Sequence, residues 1–422
     1  MMASRRIAIL AGIGLALATF LAPARATTDE IPEADGPLIQ MAILLDTSNS
    51  MDGLIHQAKA QLWKIVNEFL YAKKGDQVPR LQIALYEYGK STLPAEEGHL
   101  RAVTPLTDDL DRVSQELFAL TTNGGQEYAG HVIRQALLEM PWSDDPNDLK
   151  TIFIAGNEGF DQGTVPFRES CRAAIARGIV VNTIFCGDRQ KGVQTFWEEG
   201  ARLSDGSYMH IDQNQALANI EAPQDAEIQK LGTALNETYI PFGDLGLANS
   251  IRQTEQDKNS LEVGNASNVQ RMACKASFNY CNSSWDLVDA IDRSNVKLED
   301  VKVEELPEAM QKMTADERRK HVESMSTSRK QIQKQIQLLN TARNTYIANE
   351  RRKLADDSTD TLDEAMGECL RGMANQKRFE LAPKPEARPD GSAKTEGDTK
   401  ADAKGIAPEA EPVKKAKDDK GC

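Results

Sequence analysis

An unbroken apolar run that ends in a cluster of oxygen-bearing side chains is the feature that most constrains this chain. Residues 41–45 are all apolar, and Asp46, Ser48 and Ser50 follow at alternate positions, just before a helical pattern opens near Asp52. A buried strand that ends in polar side chains ahead of a helix is where an open α/β sheet places its ligand site. One carboxylate and two hydroxyls are hard oxygen ligands, suited to Mg²⁺ or another small divalent cation. The alternative is a helix cap, with Ser50 or Asp52 accepting backbone N–H bonds.

Apolar periodicity after this loop predicts alternating strands and helices. Between residues 53 and 71 an amphipathic helix is expected, because apolar residues recur every three or four positions, at Leu54, Ala58, Leu62, Ile65, Val66 and Phe69. Strands are expected at residues 81–88, 100–106, 151–155, 179–185 and 207–211, and helices at 108–120, 128–140, 165–177 and 196–203. This alternation predicts a doubly wound, mostly parallel α/β sheet with helices on both faces, spanning residues 38–222.

The Asp46 loop, the element order and a Gly124-Gly125 pair resemble the von Willebrand factor type A (VWA) family. This resemblance implies a Rossmann-like sheet with a metal-ion-dependent adhesion site at the carboxyl ends of its strands. Asp46, Ser48 and Ser50 match the family's first metal-binding loop. The resemblance also implies that an acidic side chain of a protein partner completes the coordination of the bound Mg²⁺ or other divalent cation.

The other two loops depart from the family pattern. Gln126 stands where the family usually has Thr, with Glu127 directly after it, and the third loop has Asn157 and Glu158 in place of Thr-Asp-Gly. Gln126 and Glu158 are therefore the expected remaining metal ligands, with Glu127 and the more distant Asp161 as alternatives. If both Glu127 and Glu158 coordinate the cation, weak capture of the partner is expected, because added carboxylates lower the attraction of the metal for another acidic ligand.

Residues 1–26 have the pattern of a signal peptide. Two arginines, Arg5 and Arg6, precede an apolar stretch at residues 7–21, and an Ala-Arg-Ala sequence ends at Ala26. The stretch is short for an uncleaved membrane anchor. No later segment is apolar enough to cross a bilayer, so the sequence predicts a periplasmic or secreted protein without a transmembrane segment after cleavage.

Charge and cysteine content narrow the function classes. With 64 acidic and 50 basic residues the formal net charge is −14, which argues against nucleic-acid binding. Export makes the six cysteines disulfide candidates, although their spacing leaves many connectivities open. Cys171 with Cys186 and Cys274 with Cys281 are the expected pairs, and Cys422 is the expected free or intermolecular thiol.

Residues 223–379 are predicted to be a helical region. The longest pattern, residues 307–355, carries an imperfect heptad at Met325, Ile332, Leu339 and Tyr346. Packing on its own domain, in a helical hairpin with residues 362–373, is favoured over a dimerising coiled coil. Residues 380–422 are rich in Pro, Ala and charged residues and are predicted to be disordered.

These features favour a protein-binding role through a variant metal-ion-dependent adhesion site. The alternative is a metal-independent scaffold that binds partners through its helical region. A metal-dependent hydrolase is less favoured, because a phosphatase of this type needs a second Asp where this chain has Ser48. No Ser/His/Asp or Cys/His constellation suggests an enzyme.

Overall fold

The computed structural model describes residues 36–69, 71–214, 220–293, 295–353 and 362–381. The predicted signal peptide, Cys422 and nearly all of the predicted disordered tail lie outside these residues. In the part of the chain that the structure describes, no helix is long and apolar enough to cross a membrane.

Six strands form one sheet in the order β3-β2-β1-β4-β5-β6, with the bounds Leu38–Asp46 (β1), Arg80–Tyr88 (β2), Leu100–Thr107 (β3), Leu149–Gly156 (β4), Val180–Cys186 (β5) and Tyr208–Ile211 (β6). All neighbouring strands are parallel except β3, which pairs antiparallel with β2 at the edge. The predicted fold class, a doubly wound and mostly parallel α/β sheet followed by a helical region, is confirmed.

Thirteen α-helices lie within the described residues. Their bounds are Asp52–Asn67 (α1), Leu110–Ala119 (α2), Ala129–Glu139 (α3), Phe167–Ala176 (α4), Arg189–Gln194 (α5), Trp197–Arg202 (α6), Asp225–Asn236 (α7), Gly246–Val263 (α8), Asn265–Lys275 (α9), Leu287–Asp292 (α10), Glu308–Gln311 (α11), Ala315–Lys353 (α12) and Leu362–Gln376 (α13).

The central strand β1 is buried along its whole length and separates two hydrophobic cores. Ile43 and Leu45 point into the core beneath α1 and α2, whereas Ala42 and Leu44 point into the core beneath α3 and α4. This alternation follows from the two-residue period of a strand. Because β1 lies between β2 and β4, which lead away in opposite directions, the topological switch point of the sheet is at its carboxyl end.

The helical region packs against the α1 and α2 side of the sheet. Helix α9 contacts α1, and α8 contacts α2. One continuous apolar core joins sheet residues such as Phe153 to Val269 and Met272 of α9 and to Ile336 of α12. Helices α7, α8, α9 and α12 therefore form a second layer over α1 and α2.

Helix α13 returns to the sheet, and two glutamines of α1 hold its first turn. The Gln57 Oε1 atom accepts from the backbone N–H of Leu362 at 3.3 Å, and Gln61 Oε1 accepts from that of Asp363 at 2.9 Å. These bonds satisfy donors that a helix N-terminus leaves without an intrahelical partner. Helix α13 thus packs on α1 and β6 and completes the apolar layer under the sheet.

The expected hairpin of α12 with α13 is wrong, since α13 lies mainly against α1 and β6. Helix α12 instead packs on α7, α9 and α10 of its own chain. Its buried face includes Arg329, which binds Asp286 at 2.5 Å, and Arg343, which binds Asp225 at 2.6 Å. Met325, Ile332 and Leu339 of the predicted heptad are partly buried against the apolar cores, and the fully buried positions of α12 include the two arginines.

The five cysteines in the described part of the chain are unpaired, so both expected disulfides are corrected. Cys171 lies in the core on the α3 and α4 side of the sheet, whereas Cys186 lies in the core on the opposite side. The sheet itself separates these two thiols. Cys274 is buried in the core beneath α1, while Cys281 is half-buried outside that cluster.

Candidate metal centre

Asp46 ends β1 at the topological switch point, and its carboxylate is fully buried but only half satisfied. Its Oδ1 atom accepts from the backbone N–H of Ser48 at 2.8 Å. Its Oδ2 atom is buried and has no hydrogen-bond partner among the described residues. A buried polar atom normally has a partner, because leaving one without costs about 1–3 kcal/mol. The orphaned Oδ2 therefore requires an explanation.

Neighbouring negative charge adds to the cost of ionising Asp46. Burial raises the pKa of this carboxyl to about 7, against the hydrogen bonds from Ser48, and the charges of Glu127 and Glu158 raise it further. The charges of Glu127 and Glu158 thus act on the same buried carboxyl group, and the three carboxylates repel one another unless a cation screens them.

The two serines of the first loop complete a cluster of oxygen atoms. The hydroxyl oxygens of Ser48 and Ser50 are 3.3 Å apart. Asn157, in the loop after β4, donates through Nδ2 to Ser50 Oγ at 3.1 Å. This contact brings the first and third loops together through a residue that had no predicted role.

Glu127, rather than Gln126, is the second-loop side chain beside Asp46. A Cβ atom on Gly89, which has a φ of +82°, would lie 2.7 Å from Asp46 Oδ1 and 2.9 Å from Glu127 Cγ, so both side chains crowd the same glycine. Burial raises the pKa of Glu127, and the charge of Glu158 raises it further, while a hydrogen bond with Ser48 lowers it.

Gln126 was expected to supply the second-loop ligand, and its side chain is directed elsewhere. It is exposed, and its Oε1 atom accepts from the hydroxyl of Tyr128. Alignment of the motifs puts Gln126 at the ligand position of the second loop. In the structure, the loop that follows Gly124 and Gly125 instead places Glu127 beside Asp46. Glu158 is exposed, near enough for its charge to raise the pKa of both Asp46 and Glu127.

The chemistry of these donors fits a hard divalent cation. Nowhere in the described ranges do three or more His, Cys, Asp or Glu side chains form a group that could hold a metal, so a cation here relies on hydroxyls as well as carboxylates. Asp46, Ser48, Ser50 and Glu127 together offer that set, with oxygen atoms only, as Mg²⁺ or Mn²⁺ prefers. The orphaned Asp46 Oδ2 is the atom that such a cation would satisfy.

A glycine and three hydrogen bonds hold the loops around this carboxylate. A Cβ atom on Gly156 would lie 3.1 Å from Asp46 Oδ2, so only glycine leaves that oxygen free. The N–H of Thr47 donates to Tyr88 O at 2.8 Å, and its carbonyl accepts from the N–H of Asn123 at 2.9 Å. The side chain of Gln213 donates to the carbonyl of Ser50 at 2.9 Å.

A cleft of about 340 Å³ opens beside the first loop. Its floor is formed by Ile55 and Leu120, and its rim carries the polar side chains of Asp52, His56, Lys59, Thr121 and Thr122. The Thr122 hydroxyl donates to the Asp52 carboxylate, which ties the second loop to the start of α1. The oxygen cluster and this cleft share one face of the molecule.

Comparison with known proteins adds similarities at low identity. No family model and no curated protein matches the chain. Among solved structures, the chain is similar to the SpRpn10 VWA domain (15% identity, 43% of this chain and 91% of that chain, TM-score 0.32). It is also similar to the conserved hypothetical protein BatB from Bacteroides thetaiotaomicron (15% identity, 52% of this chain and 99% of that chain, TM-score 0.31). A third similar structure is the vWF domain of the type V pili tip protein Mfa5 from Porphyromonas gingivalis (12% identity, 42% of this chain and 90% of that chain, TM-score 0.30).

The resemblance is confirmed at the level of the fold, which the strand order and the direction of each strand pair establish by themselves. The ligand set of the Asp46 site depends on this chain's own side chains.

Proposed function

We propose that this chain is an exported protein that binds another protein through a divalent cation held at the carboxyl end of β1. One observation carries the proposal: the Oδ2 atom of Asp46 is buried and has no partner within the described residues, at the start of a loop in which the hydroxyl oxygens of Ser48 and Ser50 are 3.3 Å apart. A carboxylate in this state is stabilised by a cation more than by any rearrangement of its own loop, because Ser48 already occupies Oδ1.

Asp46, Ser48, Ser50 and Glu127 would hold the cation, with Glu158 at the rim. When bound, the cation supplies positive charge and an open coordination position that an acidic side chain of the partner can fill. Without it, the carboxylates of Asp46, Glu127 and Glu158 repel such a side chain. The chain's residues therefore make capture of an acidic partner conditional on the cation.

The cleft beside the site suits the segment of the partner that flanks the acidic residue. Its floor of Ile55 and Leu120 favours an aliphatic side chain, and the ammonium group of Lys59 adds positive charge at the rim. Burial lowers the pKa of Lys59, whose ammonium group donates to the carbonyl of Leu120 at 3.0 Å. The preferred partner is thus an acidic residue next to an aliphatic one on an exposed segment.

Capture from the native envelope tests this function. The full-length exported chain is crosslinked in cells, and partners are identified by mass spectrometry with Mg²⁺ present or after chelation. We expect a partner that is retained with Mg²⁺ and lost after chelation and in Asp46→Ala. A partner retained equally in all three samples would exclude the Asp46 site as its docking point.

The predicted export has its own test. Sequencing the N-terminus of the chain recovered from the envelope should show a start near Thr27, following the predicted cleavage after Ala26. A chain that keeps its first residues and remains with the cytoplasmic fraction would contradict export.

A metal-independent scaffold is the second candidate, and one feature favours it. Helix α8 exposes three aliphatic side chains, Leu247, Ile251 and Leu261, which are 70%, 50% and 50% exposed, and Leu245 just before the helix is 60% exposed. Leu247 and Ile251 are four residues apart and so share one face of the helix. Leu247→Asp combined with Ile251→Asp should abolish partner capture under this candidate and leave it unchanged under the first. Because α13 and α1 share one core, the variants are compared in the full chain.

A further inference from the structure

Three residues from three helices form a closed polar triangle inside the helical region. Asn236 ends α7, Asp257 lies in α8, and Lys275 ends α9. The Lys275 ammonium nitrogen donates to Asn236 Oδ1 and to Asp257 Oδ2, the latter at 2.8 Å. Asn236 Nδ2 donates to the same Asp257 Oδ2 at 2.7 Å. Every polar atom of the carboxamide is thus bonded to Lys275 or Asp257.

From this geometry we propose that Lys275 and Asn236 form an intramolecular isopeptide bond, with Asp257 as the proton carrier. The carboxylate touches both the nucleophilic nitrogen, Lys275 Nζ, and the leaving nitrogen, Asn236 Nδ2. A general acid–base group must lie within hydrogen-bond reach of the proton it moves, and Asp257 meets that condition at both ends of the transfer.

The surroundings of Lys275 favour its reaction as an amine. Its side chain is fully buried, at 0% exposure, so bulk water is excluded from the amine. Burial lowers the pKa of Lys275, against the attraction of Asp257, while the nearby Arg271 lowers it further. A desolvated lysine beside another cation is an activated nucleophile. Holding it against one carboxamide also replaces a bimolecular encounter by a positioned one.

The reaction balances without any added reagent. Lys275 Nζ passes a proton to Asp257 and attacks Asn236 Cγ, forming the new C–N bond. Asp257 gives its proton to Nδ2 and takes a second proton from Nζ, and the bond between Cγ and Nδ2 breaks to release ammonia. The ammonia leaves with the proton from Asp257 as ammonium. Asp257 then remains ionised beside the Arg271 Nε atom, which binds its Oδ1 at 2.6 Å.

The product would join the carboxyl ends of α7 and α9 covalently. These helices pack on each other and, through α9, on α1 of the sheet region. A cross-link there would hold the second helical layer together when the non-covalent contacts between its helices are broken. This role is separate from the Asp46 site, so either proposal can fail without the other.

Peptide mapping of the purified full-length chain tests the cross-link. Trypsin cannot cleave after an acylated lysine, so we expect residues 231–252 joined through a branch to residues 272–293. The mass of the branched peptide should be one ammonia molecule below the sum of its parts. Finding instead the separate peptides 231–252 and 272–275 with their full sequence masses would overturn the proposal.

Two variants exclude other routes to the same mass. Lys275→Arg keeps the positive charge but cannot form the bond, so its Asn236 peptide should have its full mass. A loss of ammonia that persists in Lys275→Arg would indicate a cyclised asparagine instead and would contradict the cross-link. Asn236→Ala removes the carboxamide that Lys275 would be joined to, so trypsin should again cleave after Lys275. The decisive result is the wild-type map, which does not depend on how well either variant folds.

Discussion

Asp46 and Asp257 are two carboxylates taken out of water in different surroundings. Asp46 has one hydrogen bond to Oδ1 and an unpartnered Oδ2, and burial raises its pKa to about 7. Burial alone would also raise the pKa of Asp257, but Lys275 and Arg271 outweigh it and hold the pKa at about 2. One carboxylate has its cations built into the fold, and the other lacks them.

The difference separates a structural group from a binding group. A buried ion pair whose partners are all present stabilises only its own arrangement. An unpaired buried carboxylate costs stability in the folded state, and this cost persists only where something else offsets it. The contrast between Asp257 and Asp46 is therefore the reason for proposing that an external cation binds at Asp46.

The largest expected effect is on Asp257. Replacing it by Asn removes the proposed proton carrier, so Lys275 stays a free ammonium beside Arg271, and the loss of the carboxylate from these buried cations costs about 3–5 kcal/mol. The free energy of unfolding, measured by urea denaturation, should fall by that amount. Glu255→Gln, an exposed change on the same helix, is the matched control and should shift stability by less than about 0.5 kcal/mol. Equal stability of the Asp257 variant and the wild type would show that Asp257 does not stabilise the fold through its cations, and Asp257 would then no longer differ from Asp46.

In buffer that contains a chelator, Asp46→Asn should change the free energy of unfolding in the opposite direction, that is, it should stabilise the protein. The folded pKa of Asp46 lies above its ordinary value of 3.8, so the folded state holds a proton that the unfolded state has lost. Stability therefore falls as the pH rises from about 4 to about 7, by up to about 4 kcal/mol for a difference of about three pKa units.

Removing that charge should raise the free energy of unfolding by up to about 4 kcal/mol at about pH 8. The amide oxygen of the substituted side chain can still accept from Ser48, so the loop keeps its backbone bond. Urea denaturation with chelator present checks the sign, and a less stable variant would show that Asp46 is satisfied within the fold. Addition of Mg²⁺ should stabilise the wild type and leave the variant unchanged.

A smaller effect distinguishes Glu127 from Gln126. Glu127→Gln should weaken Mg²⁺ or Mn²⁺ binding by at least about 10-fold, because the substitution removes one of the carboxylates proposed to hold the cation. Gln126→Ala should change the affinity by less than about 2-fold, because its carbonyl oxygen is bonded to Tyr128. Both are read by cation-dependent shifts in melting temperature. The reverse order of effects would restore Gln126 as the second-loop ligand.

Local patterns in the sequence predicted most of the sheet. The apolar run before Asp46 specifies a strand buried on both faces, and the periodicity from Leu54 to Phe69 specifies the buried face of α1. Ser48 and Ser50 also lie where the motif places them, because only one tight turn separates them from Asp46.

Features that depend on distant parts of the chain were not predictable in this way. Gln57 and Gln61 are polar and border the apolar stripe of α1, and they are buried because α13 returns from a distant part of the chain to bind them. Arg329 and Arg343 interrupt an apolar heptad because their partners lie on other helices. The place of Glu127 beside Asp46 likewise depends on the path of a glycine loop.

Calorimetric titration with Mg²⁺ or Mn²⁺ measures whether a cation binds the ionised carboxylate of Asp46. At about pH 6, below the raised pKa, binding should release close to one proton, detected by comparing buffers of different ionisation enthalpy. At about pH 8 the release should be near zero and the affinity higher, and Asp46→Asn should give no binding heat at either pH. Absence of binding heat and of any thermal shift in the wild type, or identical titrations of wild type and variant, would show that no cation binds at Asp46.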